Sequence, residues 1–149
     1  MCRYNYQLGG EKTKIRNMRK SKEEHIADAR RDIAGGRGIL RENGKKEEGM
    51  YTDAHYFDFA IAGHTAYRGI LIALNELMKQ HGIKKSTRKH VDDYQDFLAK
   101  LDRKILNHFN IAYEILHLVM GYDGFGEYDV VKKGLNSAEE IINWIEKKL

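Results

Sequence analysis

The stretch VDDYQDFLAKLDRKILNHFNIAYEILHLVM, residues 91–120, decides the fold class. Val91, Tyr94, Leu98, Leu101, Ile105, His108, Ala112, Ile115 and Val119 follow one another at alternating spacings of three and four. That spacing is an apolar seam on a helix, and it predicts one helix from about Lys89 to Met120. Beyond Ile105 the helix turns apolar nearly all round, through Leu106, Phe109, Ile111, Tyr113, Leu116, Leu118 and Met120.

The same period extends to both sides. Ser21-Lys22-Glu23-Glu24 forms a capping box, and Ile26, Ala29, Ile33, Gly36 and Leu40 make the inward stripe of a first helix closed by Asn43-Gly44. Gly35, Gly36 and Gly38 lie inside that helix with no strand before them, so they allow close helix approach and do not form a phosphate loop. A second helix runs from about Thr52-Asp53 to His81-Gly82, with Phe57, Ala60, His64, Tyr67, Leu71, Leu74 and Met78 as its expected core stripe. Gly121–Gly126 ends the third helix. The fourth turns Val131, Ala138, Ile141, Ile145 and Leu149 inward, with a second capping box at Ser137–Glu140 that would restart it partway. The chain has no proline, where average usage would supply about seven. These patterns predict an all-α fold, an up-down antiparallel four-helix bundle over residues 21–149, behind a short extended basic arm at 1–20.

The charge divides the same way. Arg3, Lys12, Lys14, Arg16, Arg19 and Lys20 against Glu11 give the arm +5, so with +4 in total the remainder carries −1. A basic arm suits phosphate contacts or plain solvation, and it is expected to add little stability. Met18 is an alternative start. Cys2 is the lone cysteine, which excludes a disulfide framework and a thiolate metal site. No apolar run reaches the roughly 20 residues of a membrane span, and no signal-peptide core follows Met1, which reads as a cytoplasmic chain.

Candidate chemistry narrows quickly. Glu114-Ile115-Leu116-His117 is a single Glu-x-x-His where a di-iron bundle needs two, so neither a metal site nor a cofactor is expected. If helices two and three form a hairpin centred between His81 and His90, His64 and His108 share a level inside the bundle, and Arg68 lies level with Arg103. His64, Arg68 and His108 are therefore the candidate binding residues. Leu106, Phe109, Ile111, Leu118, Ile61 and Ile72 lie off the core stripes and point to a homodimer.

The segment from Tyr56 to Leu74, with His64 and Tyr67 inside it, resembles the second helix of the HEPN superfamily of nucleotide-binding helical domains. Ala27–Ile33 and Ser137–Ile142 are similar to that superfamily as well. Many of its members are metal-independent ribonucleases with an Arg and a His a few residues apart. The resemblance thus implies Arg103 and His108 as catalytic residues, with the His in acid–base work. On an unbroken helix those two side chains lie about 140° apart and converge only if a kink or a dimer partner brings them together. The reading is a non-catalytic binding or interaction module for a protein partner, nucleotide or RNA; the alternative is a metal-independent ribonuclease using Arg103 and His108.

Overall fold

The computed structural model describes residues 20–43, 46–47, 50–51, 56–84 and 88–149. The basic arm, apart from Lys20, lies outside them, as do Gly44 and the expected start of helix two at Thr52-Asp53. Helix α1 spans Lys22–Asn43, and a hairpin pairs β1 (Lys46–Glu47) antiparallel with β2 (Met50–Tyr51). Then come α2 (Tyr56–Gln80), α3 (Val91–Leu101), α4 (Arg103–Ala112) and α5 (Tyr128–Lys148). Helix α4 continues as a π-helix over Tyr113–Tyr122. Apart from the hairpin and the connecting turns, the described residues are helical.

Helix α1 forms as its sequence dictates. The Ser21 hydroxyl accepts from the Glu24 amide at 3.2 Å, and Ile26, Ala29, Ile33 and Leu40 are buried. Its neighbour α2 approaches closely because small residues meet there. A Cβ on Gly36 would come within 2.9 Å of the Ala62 carbonyl oxygen, and one on Gly69 within 2.7 Å of that of Ala29. Around this seam Arg68 makes a bidentate pair with Asp32, at 2.9 Å for each bond. Arg30 with Glu146, and Arg37 with Glu139 at 3.0 Å, tie α1 to α5. Helix α2 ends where Gly82 takes φ 82° and the Ile83 amide returns to the Met78 carbonyl at 3.0 Å, a glycine cap of the usual kind.

Two expectations fail here. The buried face of α2 is Phe59, Ala62, Ala66, Ile70, Ala73 and Leu77, joined by Tyr67, Leu74 and Met78; Phe57 and His64 point outward. The helix is apolar on several faces, and its small residues win the core because only they permit the close approach to α1.

The second failure concerns the third helix, which is not one helix. Asp102 takes φ −160° and ψ 110°, an extended conformation that breaks the run. Its amide bonds the Leu98 carbonyl at 2.9 Å, closing α3, while its carboxylate accepts from the amides of Lys104 (2.9 Å) and Ile105 (3.2 Å), opening α4. One residue thus caps two helices. The chain reverses around it. Tyr94 and Phe109 would stand about 22 Å apart along a straight helix, yet their rings are 5.9 Å apart, and Gln95 donates to Asn110 at 2.8 Å. Helix four, by contrast, is unbroken: Ser137 lies inside α5 and caps nothing.

Candidate binding site

The capping at Asp102 sets the phase of α4, which places Lys104, His108 and Ile111 along one face at spacings of four and three. Helix α5 opposes them with Asp129, Lys132, Lys133, Asn136, Ser137 and Glu140. Between the two helices lies an open groove of about 590 Å³ lined by these nine residues. At its floor His108 Nδ1 sits 3.1 Å from the Ser137 hydroxyl oxygen. Ser137 is 3% exposed, a polar side chain held in the core by that contact. When the hydroxyl donates to Nδ1, the other ring nitrogen carries the proton and is left as a donor for a ligand.

Arg103 is exposed at the first position of α4, five residues before His108 on the same helix. The break precedes both residues, so their angular separation stays about 140°. His64 and His108 do not share a layer. His64 is exposed, with its ring 5.4 Å from His117 and 5.8 Å from Tyr122. The reversal at Asp102 removes α3 from the path assumed for the hairpin. Helix α2 therefore meets the π-helix, about ten residues further along than a straight hairpin gives. Arg68 is engaged by Asp32, whose carboxylate raises the guanidinium pKa by hydrogen bonding and charge.

The sequence reading missed the cluster around His117. Tyr67 stacks on its ring at 4.7 Å, Tyr113 lies at 5.4 Å, and Tyr122 stands edge-on at 5.2 Å. Gly121 makes room, since a Cβ there would fall 2.6 Å from the His64 ring. His117 Nδ1 is buried without a hydrogen-bond partner among the described residues. Burial, and then the neighbouring His64, lower the His117 pKa below that of free imidazole. Burial likewise pushes the Tyr67 hydroxyl up. π-Helical turns often mark functional positions. Among the described residues no group of three or more His, Cys, Asp or Glu side chains is placed to hold a metal ion.

The family described as a domain of unknown function, DUF5618, matches residues 24–147. The chain belongs to DUF5618. No curated protein matches this DUF5618 chain. Among solved structures it is similar to a protein of unknown function from Dyadobacter fermentans, 43% identical with a TM-score of 0.75, covering 86% of this chain and 98% of that one. No helix among the described residues is long and apolar enough to cross a membrane.

Proposed function

We propose that this DUF5618 chain is a non-catalytic binding module that works as a homodimer. The observation carrying this reading is an apolar surface at one end of α2. Phe57 (71% exposed) and Ile61 (51%) precede His64 along one face of that helix, while Tyr122 (64%) ends the π-helix and Phe125 (51%) lies in the loop before α5. The two segments are adjacent, since Tyr122 touches His64 and Gly126 lies against the Phe59 ring. Together these four side chains present on the order of 500 Å², the upper end of the largest apolar patch on a soluble monomer. Two copies of a domain with a net charge near zero do not repel each other strongly.

The surface differs from the one the sequence suggested. Phe109 is fully buried against Tyr67 and Tyr94, and Leu106, Ile111, Leu118 and Ile72 are half-buried. Ile61 alone carries over. The HEPN-like character belongs to the same proposal, supported by the resemblance of Tyr56–Leu74, Ala27–Ile33 and Ser137–Ile142. The ribonuclease alternative needs Arg103 and His108 to converge; on one helix of one chain they diverge, so it requires the residues of a dimer partner to complete the pair.

Sedimentation equilibrium tests the dimer. At micromolar concentration the wild type should run at twice 17.3 kDa, and Phe57→Ser/Ile61→Ser at 17.3 kDa with unchanged helical circular dichroism. A monomeric wild type would overturn the dimer.

A further inference from the structure

We propose that Asp102 is the hinge of a domain exchange between two copies of this chain. In the exchanged form α3 and α4 join as one straight helix, and the residues up to Leu101 of each copy pack on residues 103–149 of the other. The exchange stands apart from the dimer through the apolar surface and needs no ligand.

The turn is built from a single residue. Connections between packed helices ordinarily take about two to eight. Here Leu101-Asp102-Arg103 reverses the chain with neither glycine nor proline. Asp102 is bonded as a helical residue on both sides: its amide donates to the Leu98 carbonyl at 2.9 Å, and its own carbonyl accepts from the Leu106 amide at 3.0 Å. Only its φ of −160° and ψ of 110° depart from a helix. Turning those two angles to about −63° and −42° makes the run continuous. Three helical bonds then form, from the amides of residues 103, 104 and 105 to the carbonyls of 99, 100 and 101. They replace the two that the Asp102 carboxylate accepts from Lys104 and Ile105. Closed and open hinges thus differ little, and short hinge loops are where domain exchange is easiest.

The sequence suits both states. The seam Val91, Tyr94, Leu98, Leu101, Ile105, His108 and Ala112 runs through the turn without losing phase. A pair of reversed helices requires no common phase across its turn, whereas a straight helix does. In the closed chain that seam has a gap: Tyr94, Leu98, Ile105 and Ala112 are buried, while Leu101 stands 43% exposed. In the straight helix Leu101 lies mid-seam, next to the two-fold axis that relates the two hinges, where the second copy covers it.

The contacts decide what exchanges. Tyr94 donates to the Asn75 side-chain oxygen at 3.0 Å, and the Phe97 ring stands 5.3 Å from that of His81, so α3 travels with α2. Tyr94 with Phe109, Gln95 with Asn110, Tyr67 with His117 and Arg37 with Glu139 then pair between copies in unchanged geometry. Core contacts are among them, so exchange is decided as the chain folds and either form persists once made.

The test places Gln95→Cys and Asn110→Cys in the full chain together with Cys2→Ser and Phe57→Ser/Ile61→Ser, the last two removing the apolar-surface dimer. The protein is refolded from urea at micromolar and at hundred-fold higher concentration, treated with a short bis-maleimide and run on a denaturing gel. A closed chain links to itself and runs at 17.3 kDa; an exchanged pair is linked between copies and runs at twice that mass. The linked dimer should rise at least ten-fold from the lower concentration to the higher. Asp102→Ala gives up the cap and favours the straight helix, so at the higher concentration it should raise the linked fraction about ten-fold relative to single chains. Leu101→Ser should lower that fraction, and three glycines inserted after Asp102 should abolish it. Circular dichroism shows whether each variant keeps its helices. The proposal is overturned if the native hinge gives single chains alone at both concentrations, or if the inserted glycines leave the linked dimer unchanged. With the apolar surface removed, neither result bears on the other dimer, which sedimentation of the unaltered chain decides.

Discussion

Replacing Asp102 by alanine separates the reversed chain from the straight helix its heptad suggests, because the two arrangements predict opposite signs. In the reversed chain the carboxylate accepts two amide hydrogen bonds at the start of α4. Loss of an N-cap of this kind costs about 1 kcal/mol, and a negative charge at a helix N-terminus contributes roughly 0.3–1 kcal/mol more. Asp102→Ala should therefore destabilise by about 1–2 kcal/mol, lowering Tm by roughly 3–6 °C for a chain of this size. Asp102→Asn keeps an acceptor at the cap and should recover most of the loss. In an unbroken helix the same position would be mid-helix, and alanine would stabilise it by up to about 0.7 kcal/mol. Thermal and urea unfolding followed by circular dichroism at pH 7 measure the sign directly. A Tm equal to or above wild type for Asp102→Ala would refute the reversal.

Three further outcomes follow from the packing and the cluster. Gly63→Ala should cost about 1–3 kcal/mol in urea unfolding, since its Cβ would collide with the Leu116 carbonyl oxygen and the Met120 side chain. Gly121→Ala should cost less, because the atoms in its way belong to an exposed His64 ring that can swing aside. The lowered His117 pKa means that the unfolded chain takes up the proton more readily. Stability should be intact above the unfolded value near 6.5 and fall as pH drops through it towards the folded pKa. His117→Phe should flatten that decline in Tm, and a decline of equal slope in the variant would count against it.

How far the sequence spoke for itself depended on whether local chemistry and packing agreed. For α1 and α5 they did: the Ser21 cap and the stripes Ile26–Leu40 and Val131–Ile145 face the core as read. For α2 the hydrophobic period offered several faces, and the choice fell to the glycines and alanines that admit α1, a fact that lives in the partner helix. At Asp102 the seam continues in phase across the reversal, so period alone could not reveal it. The signal that was present was an aspartate able to cap, sitting directly before Arg103-Lys104-Ile105. The groove was half legible: His108 was singled out, but Ser137, 29 residues away, was read as a cap, and the lysines on α5 passed as an ordinary solvated face.

The most direct test of a binding module without catalysis is to incubate excess protein with end-labelled single-stranded RNA in EDTA and resolve the products on native and denaturing gels. The account predicts RNA that stays full length for hours on the denaturing gel, whether or not the native gel shows it shifted. Cleavage by the wild type, abolished in His108→Ala and in Arg103→Ala, would contradict the account and establish the nuclease in its place.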